Sequence, residues 1–399
     1  MSTKMATGLS KGEDGIKVAQ EAVEIAKKKL GEQRIDLTIV YSATNYNYED
    51  VVATVRKFTQ NAPLIGCSTG GEFNEEAVEN GSVAVTLISS DKMKFSTASA
   101  SGVKENENLV MKEIVSQVSP KNAEYPHRAA IIFMDGLAGK GEEIAIAAVN
   151  ALDIETKLVG GAAGDDLKFK QTFVFCNDLV LADAVSICVI DSKTPFYTGV
   201  KHGHIVLSET LQVTKSQGSV LFEIDNRPAW EVWQEKTAVD ASKKGIDVHK
   251  LNETTEIGNH LICYEMGIPM GNDDYKIRVP LSKNKDGSLN FACTIPQGLS
   301  FNIMKSVKEK QTESANKAVS LALSEVPENT AIAGALIFDC VCRGLILGND
   351  FYMAVDEFKK VLGKIPLSGF ETYGEVCYVK GEFSGFHNTT SVVFLLPAE

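Results

Sequence analysis

The stretch "LIGCSTGGEF", residues 64–73, places three glycines and an acid directly after a short apolar run. A phosphate-binding loop, a nucleophilic cysteine and a structural turn are three kinds of site with such a pattern. Two further stretches, "LVGGAAGDDL" (158–167) and "LSGFETYGEV" (367–376), have the same layout. All three carry glycine at the third position and an acid six positions later, which predicts that one unit occurs three times in the chain.

The matching positions indicate what this unit needs. The first glycines are Gly66, Gly160 and Gly369, the second glycines are Gly70, Gly164 and Gly374, and the acids are Glu72, Asp166 and Glu375. At the second glycines the backbone is expected to need positive φ or room for a close approach, and we interpret all six glycines first as a fold requirement. A Walker A loop is poorly supported, because that motif needs Lys and then Ser or Thr after its last glycine.

The segments around the turns predict the same order of elements each time. In the first unit, residues 35–40 predict a strand, 49–60 an amphipathic helix, and 82–89 a half-buried strand that alternates with period two. Residues 128–190 and 331–396 repeat this order. The predicted fold class is α/β, with two mixed-sheet domains of repeated strand-helix-strand-strand units. Short hairpin links disfavour purely parallel sheets, and a layered α/β/β/α sandwich is the expected arrangement.

A chain of 399 residues exceeds what one hydrophobic core usually organises, which predicts two domains. Residues 12–30 predict an amphipathic helix that ends at Gly31, and residues 191–215 are interpreted as a connection. The predicted division is an N-terminal helix at 1–30, a first domain at 31–210 with two units, and a second domain at 211–399. The third unit, 331–396, lies in the second domain.

Composition excludes several classes of partner. Forty basic and 52 acidic residues give a net charge of -12, so the average field repels nucleic acid and anionic lipid. The chain lacks a secretory signal and any apolar run of roughly 20 residues, which predicts a cytoplasmic protein with no membrane partner. No metal site is expected: there is no CxxC pair, and Cys340 and Cys342 would face opposite sides of a strand.

Together with the three turns, the stretches "EIDNRPAWEVW" (223–233) and "FDCVCR" (338–343) resemble the FIST family of intracellular signal transduction proteins. The resemblance covers about residues 30–385 and departs at Asn226, where family members often have glycine. It implies a sensory domain for small ligands, with amino acids proposed, and some members resemble haem-binding nitric oxide sensors. Since no stretch is left for an output domain, the signal is expected to pass to a separate partner protein.

The expected ligand is therefore a small molecule such as an amino acid, bound between the domains where the turns converge. Acids in the turns would receive an ammonium group, and Arg343 would hold a carboxylate bidentately. The structural alternatives are that each acid accepts N–H groups of its own turn and that Asp339 pairs with Arg343. The predicted ligand-binding residues are Cys67, Ser68, Thr69, Glu72, Asp165, Asp166, Arg343, Tyr373 and Glu375.

Two other functions stay open. Cys67 beside Ser68 is a candidate nucleophile of a thiol-dependent enzyme, although no histidine stands in a recognisable partner motif. His202 and His204 could ligate haem iron or a metal, or could simply be solvated on an exposed connection. No catalytic residue and no cofactor are predicted, and haem is retained as an alternative. Trp230 and Trp233 share a helix face and are expected to pack in the core.

Overall fold

The computed structural model describes residues 2–271, 274–381 and 384–399. The helices are α1 (Gly15–Leu30), α2 (Tyr48–Phe58), α3 (Val103–Gln117), α4 (Gly141–Leu152), α5 (Ala229–Ser242), α6 (Thr254–Cys263), α7 (Lys308–Ser324), α8 (Val341–Leu347) and α9 (Phe351–Leu362). Short 3-10 helices lie at Val248–Lys250 and Gly348–Asp350. No helix in the described part of the chain is long and apolar enough to cross a membrane.

The strands of the first half are β1 (Lys4–Lys11), β2 (Leu37–Ser42), β3 (Leu64–Ser68), β4 (Glu72–Asn74), β5 (Val78–Glu79), β6 (Ser82–Ser89), β7 (Met93–Ser101), β8 (His127–Met134), β9 (Lys157–Ala162), β10 (Val174–Cys176), β11 (Leu179–Leu181), β12 (Ala184–Ser192), β13 (Tyr197–His202) and β14 (His204–Val206). Those that follow are β15 (Leu211–Gln217), β16 (Val220–Ile224), β17 (Arg227–Pro228), β18 (Tyr264–Gly271), β19 (Asp274–Arg278), β20 (Pro280–Lys283), β21 (Leu289–Phe291), β22 (Ser300–Ser306), β23 (Ile332–Cys340), β24 (Leu367–Thr372), β25 (Glu375–Tyr378), β26 (Phe386–His387) and β27 (Thr390–Pro397).

Three six-stranded sheets have one common strand order. The first sheet runs β1-β6-β2-β3-β10-β11, the second β7-β12-β8-β9-β25-β26, and the third β13-β27-β23-β24-β4-β5. Each contains one parallel pair, flanked by an antiparallel strand from the same stretch of chain. A fourth sheet of nine strands is formed by residues between β14 and β22. The predicted α/β class with mixed sheets is therefore confirmed.

After each glycine turn the chain leaves its own sheet and enters another. The hairpin β4-β5 pairs with β24 in the third sheet, β10-β11 pairs with β3 in the first, and β25-β26 pairs with β9 in the second. The three sheets therefore interlock in a cycle. Separation of any one sheet would break the edge pairing of the others.

The inner faces of the three sheets meet in one apolar cluster. Tyr41, Phe133, Phe338 and Phe370 lie at its centre, with ring centroids 4.6–6.2 Å apart. Helices cover the outer faces: α1 and α2 the first sheet, α3 and α4 the second, and α7 and α9 the third. A section through any two of these sheets runs helix, sheet, sheet, helix, and the third sheet closes the core.

The first glycine of each turn lies opposite the paired residue of the neighbouring parallel strand. An added Cβ would lie 2.1 Å from the Val40 carbonyl oxygen at Gly66, 1.9 Å from that of Ile132 at Gly160, and 2.4 Å from that of Ile337 at Gly369. No side chain fits at such distances. The first glycines are therefore required by close backbone approach, which the sequence pattern had predicted for the second glycines.

Two sequence-based expectations about local structure are wrong. Residues 191–215 are not a connection, because they contain β13 and β14 and begin β15, and β13 pairs with β27 to complete the third sheet. Strand β6 is buried on both faces rather than half-buried, since it lies between β1 and β2 beneath α1. Trp230 and Trp233 are buried in the core of the nine-stranded sheet, as expected.

Candidate functional site

The three glycine turns meet in a hydrogen-bonded arrangement that we call the turn junction, formed by residues 66–72, 160–166 and 369–375. Each turn is bonded through its backbone to both of the others. The N–H groups of Gly164, Gly70 and Tyr373 donate to the carbonyl oxygens of Ser68, Glu371 and Ala162 at 2.9, 3.0 and 3.1 Å. The expectation that the turns converge in space holds, and their backbones are joined by hydrogen bonds.

In the first turn, the predicted ligand residue Glu72 is fully buried and bonded to its own surroundings. Its carboxyl accepts from the Thr69 hydroxyl and from the N–H and hydroxyl of Ser82, the latter two at 3.1 and 2.6 Å. Burial raises the pKa of Glu72 to about 7 despite these bonds. Glu72 is thus bonded inside the protein, but the N–H group that it binds belongs to Ser82 on β6 and not to its own turn, as the structural alternative had it.

Glu375 in the third turn is held in the same way. It accepts from the Thr372 hydroxyl at 2.6 Å and from the N–H and hydroxyl of Thr390 at 3.0 and 2.8 Å. Burial raises the pKa of Glu375 to about 7 as well. Glu72 and Glu375 are therefore matched structural positions in two sheets.

The second turn differs, because the chain between β9 and β10 is longer there. Asp165 accepts from three N–H groups of residues 169–171 at 2.6–3.1 Å and from the Tyr373 hydroxyl at 2.5 Å. Asp166 instead accepts from the N–H of Thr44 at 3.1 Å and from its hydroxyl. Asp165 therefore fixes the longer loop to the turn junction, and Asp166 links the junction to the segment after β2.

Cys67 and Ser68 lie inside the protein. Cys67 is completely buried in the central apolar cluster, and burial raises the pKa of its thiol well above the ordinary value. The Ser68 hydroxyl donates to the Gly164 carbonyl at 2.7 Å and accepts from the Phe173 N–H at 2.9 Å. Neither the exposure nor the lowered pKa of a nucleophilic cysteine is present at Cys67.

Arg343, expected to hold a ligand carboxylate, is completely buried. Its guanidinium donates to Asp339 at 2.7 Å, to the Gln311 side-chain oxygen at 2.8 Å and to the Ser314 hydroxyl at 2.6 Å. Asp339 is thus its partner, which is the structural alternative considered from the sequence. Arg343 fastens α8 and α7 to the end of β23.

Next to the turn junction lies a cavity of about 740 Å³, which we call the interdomain cavity. One wall is formed by the second turn, the start of α4, the third turn and the β23–α8 junction, and the opposite wall by α6 and the nine-stranded sheet. Its apolar lining includes Leu137, Leu167, Phe169, Ile262, Val279, Leu281, Phe291, Val341, Leu345 and Phe386. This size and lining are typical of small-molecule sites.

Few polar groups face this cavity. Tyr373, Asn259 and Asn388 line it, as does Asp135, whose carboxylate lies 3.5 Å from the Lys104 ammonium and accepts the Leu137 N–H at 2.9 Å. At the mouth, the ring of Phe169 is 60% exposed and stacks on Tyr373, with centroids 5.3 Å apart. The lining of the cavity is therefore mainly apolar, with a few polar side chains.

Of the nine predicted ligand residues, Tyr373 lines the interdomain cavity, and the other eight do not. The lining residues that the sequence reasoning missed lie on segments interpreted only as helices and strands, or on the long second turn. No strong sequence pattern is common to these lining residues. In the structure, Phe169, Leu281 and Leu345 are distinguished as large apolar side chains that remain exposed.

The two histidines proposed as haem ligands lie on strands, not on an exposed connection. The His204 side chain is completely buried, with Nε2 3.5 Å from an oxygen of Glu265. His202 lines a second cavity of about 420 Å³, and burial lowers its pKa to about 4. Neither residue lines the interdomain cavity. In the described ranges no group of three or more His, Cys, Asp or Glu side chains could hold a metal ion.

The FIST N domain model matches residues 36–227, and the FIST C domain model matches residues 229–378. The chain belongs to the FIST family. FIST domains are sensory domains of signalling proteins. The boundary between the two FIST matches falls where β17 meets α5, and the interdomain cavity is lined by residues of both matched regions.

An uncharacterized protein of Methanocaldococcus jannaschii is 24% identical to this FIST chain over 414 aligned positions, which cover 96% of this chain and 77% of the relative. A solved structure of cyanuric acid hydrolase is similar over the full length of both chains, at 7% identity and a TM-score of 0.35. Those values assign neither its fold nor its activity to the FIST chain.

Proposed function

We propose that this FIST protein is a cytoplasmic sensor that binds a small metabolite in the interdomain cavity and passes the signal to a separate partner protein. The observation that carries the proposal is the position of the cavity between the FIST N and FIST C regions. Leu137 and Phe169 contribute from one region, and Val279 and Tyr373 from the other. A ligand in contact with both regions stabilises the relative position of the two regions that gives it the better contacts.

The lining argues for a ligand with a large apolar part. Because Arg343 is completely buried and bonded to Asp339, it is not placed to bind a ligand carboxylate. Polar side chains in the lining can orient a polar end, and they include Asn259, Asn388, Ser219 and Thr255. Within the class of amino acids and related metabolites, we therefore propose those with aliphatic or aromatic side chains.

The common strand order of the three six-stranded sheets supports a second part of the proposal, a threefold internal duplication. In two units the acid of the turn binds a Ser or Thr of the strand that follows. In the unit with the longer turn, the acid has a different partner and the loop lines the cavity. We propose that the ligand site arose where the second unit departs from the other two.

The test is a thermal-shift screen with amino acids and their derivatives. A ligand at 100 times its dissociation constant adds about 2.7 kcal/mol to the free energy of unfolding. Leu345, 45% exposed at the cavity, is changed to Asp to place a charge in the apolar lining. The matched control is Leu109→Asp on α3, where the side chain is 62% exposed and outside the cavity.

The expected result is a saturable shift in the wild type and in Leu109→Asp that is lost in Leu345→Asp. A panel without any shift, or a shift of equal size in both variants, would contradict the proposed ligand site.

A further inference from the structure

Two cysteines lie side by side in the wall of the interdomain cavity. Strand β23 ends at Cys340, and α8 begins at the next residue, so Cys342 lies in the first turn of the helix. Both line the cavity and belong to one small apolar cluster with Val279 and Val341. The sequence-based expectation that they face opposite sides of a strand is wrong, because the chain turns into a helix between them.

The two thiols also interact with each other. Burial, followed by a hydrogen bond with the Cys342 side chain, raises the pKa of Cys340 well above its ordinary value. Cys340 is therefore in the thiol form at neutral pH. The side chains are 2% and 8% exposed, so a reagent reaches them through the cavity rather than from the outer surface.

We propose that Cys340 and Cys342 form a dithiol site that captures trivalent organoarsenicals and chemically similar dithiol-reactive compounds inside the interdomain cavity. A zinc-type site is not the proposal, since among the described residues no group of three or more His, Cys, Asp or Glu side chains could hold a metal ion. A trivalent organoarsenical needs two sulfurs and brings its own organic group. The apolar lining, with Val279 and Leu345, is suited to that group.

The reaction with an arsenical R–As=O balances without an oxidant. Two arsenic–sulfur bonds form and the arsenic–oxygen bonds break. The oxygen leaves as water together with the two thiol protons, and arsenic remains trivalent. No preformed thiolate is consumed, which fits the raised pKa of Cys340. The inference rests on the proposed cavity but not on metabolite binding, so the two can fail separately.

The experiment uses phenylarsine oxide with the reduced, folded full-length chain, and intact mass spectrometry as the readout. We expect one adduct per chain, reversed by a dithiol but not by an equal concentration of a monothiol. Cys340→Ser or Cys342→Ser should each weaken capture by on the order of 100-fold or more, because the second bond is then no longer intramolecular. The control Cys263→Ser removes a half-buried thiol outside the cavity and should keep the adduct.

A second measurement on the wild type does not depend on folding of the variants. The adduct is unfolded and alkylated, and we expect Cys340 and Cys342 to be protected while Cys67 and Cys188 are labelled. Absence of an adduct, or labelling of Cys340 and Cys342 in it, would overturn the dithiol site even where a metabolite shift is present. An adduct on this pair without any metabolite shift supports the dithiol site and contradicts the proposed sensor.

Discussion

Replacement of Glu72 by Gln tests the turn junction through its pH dependence. The carboxyl is buried and accepts hydrogen bonds from Thr69 and Ser82. Gln has nearly the same shape, can accept the Ser82 N–H and can donate to a hydroxyl. The change therefore removes the ability to ionise while keeping most of the packing.

The sign and size follow from the pKa. In the unfolded chain the Glu72 carboxyl has the ordinary pKa of 4.5, and burial in the folded protein raises it to about 7. The folded state therefore favours the protonated form. The stabilisation is complete below about pH 4.5 and is lost as pH rises through about 7. At about 1.4 kcal/mol per pKa unit, the wild type loses roughly 3 kcal/mol over this range.

Gln cannot lose a proton, so Glu72→Gln should remove the contribution of Glu72 to this dependence, while that of Glu375 remains in the variant and the wild type. We expect the variant and the wild type to be similarly stable at pH 5 and the variant to be more stable by roughly 2 to 3 kcal/mol at pH 8.5. Glu375→Gln should behave alike, since burial also raises the pKa of Glu375 to about 7.

The assay is urea unfolding followed by circular dichroism at pH 5, 7 and 8.5, with the free energy of unfolding extrapolated to water. The control is Glu328→Gln, because Glu328 is exposed on the surface. Equal destabilisation of Glu72→Gln at all three pH values would refute the reasoning, since it would mean that the ionised carboxylate is the form that the turn requires.

Three further substitutions test the packing around the site, each by urea unfolding. Gly66→Ala should lower the free energy of unfolding by about 3 kcal/mol or more, because its Cβ would lie 2.1 Å from a carbonyl oxygen. The control Gly258→Ala on α6 has open space and should be neutral or slightly stabilising, so equal effects of the two changes would contradict the close approach. Arg343→Leu leaves Asp339 buried without its cation and should lower the free energy of unfolding by about 3 to 5 kcal/mol. A decrease below about 1 kcal/mol would be inconsistent with that ion pair. Ser68→Ala removes the hydroxyl that links two turns and should cost about 1 to 3 kcal/mol; no change would mean that the link is not stabilising.

Local patterns predicted several of the helices and strands. The helix at 49–60 and the strand at 82–89 follow from periodicity, and they correspond to α2 and β6. The glycines at 66, 160 and 369 were interpreted only as a fold requirement, and the close backbone approach found there had been predicted for the second glycines instead. The cyclic exchange of hairpins between sheets was not predictable, since it depends on pairing between residues far apart in the chain.

The site was predicted less well than the fold. Tyr373 lines the interdomain cavity, but Glu72 and Arg343 are bonded inside the protein. A sequence shows that a charged residue follows a strand, but not whether a serine from another strand forms a hydrogen bond with it and so occupies it inside the protein. Cys340 and Cys342 illustrate a related problem, because their relative position depends on the residue at which β23 changes into α8.

A crystal structure with the compound that gives the largest melting shift in the thermal screen tests the central claim most directly. We expect density in the interdomain cavity, in contact with Tyr373 on one wall and Val279 on the other. Density confined to the cavity beside His202, or to the outer surface, would contradict the assignment of the interdomain cavity as the sensory site.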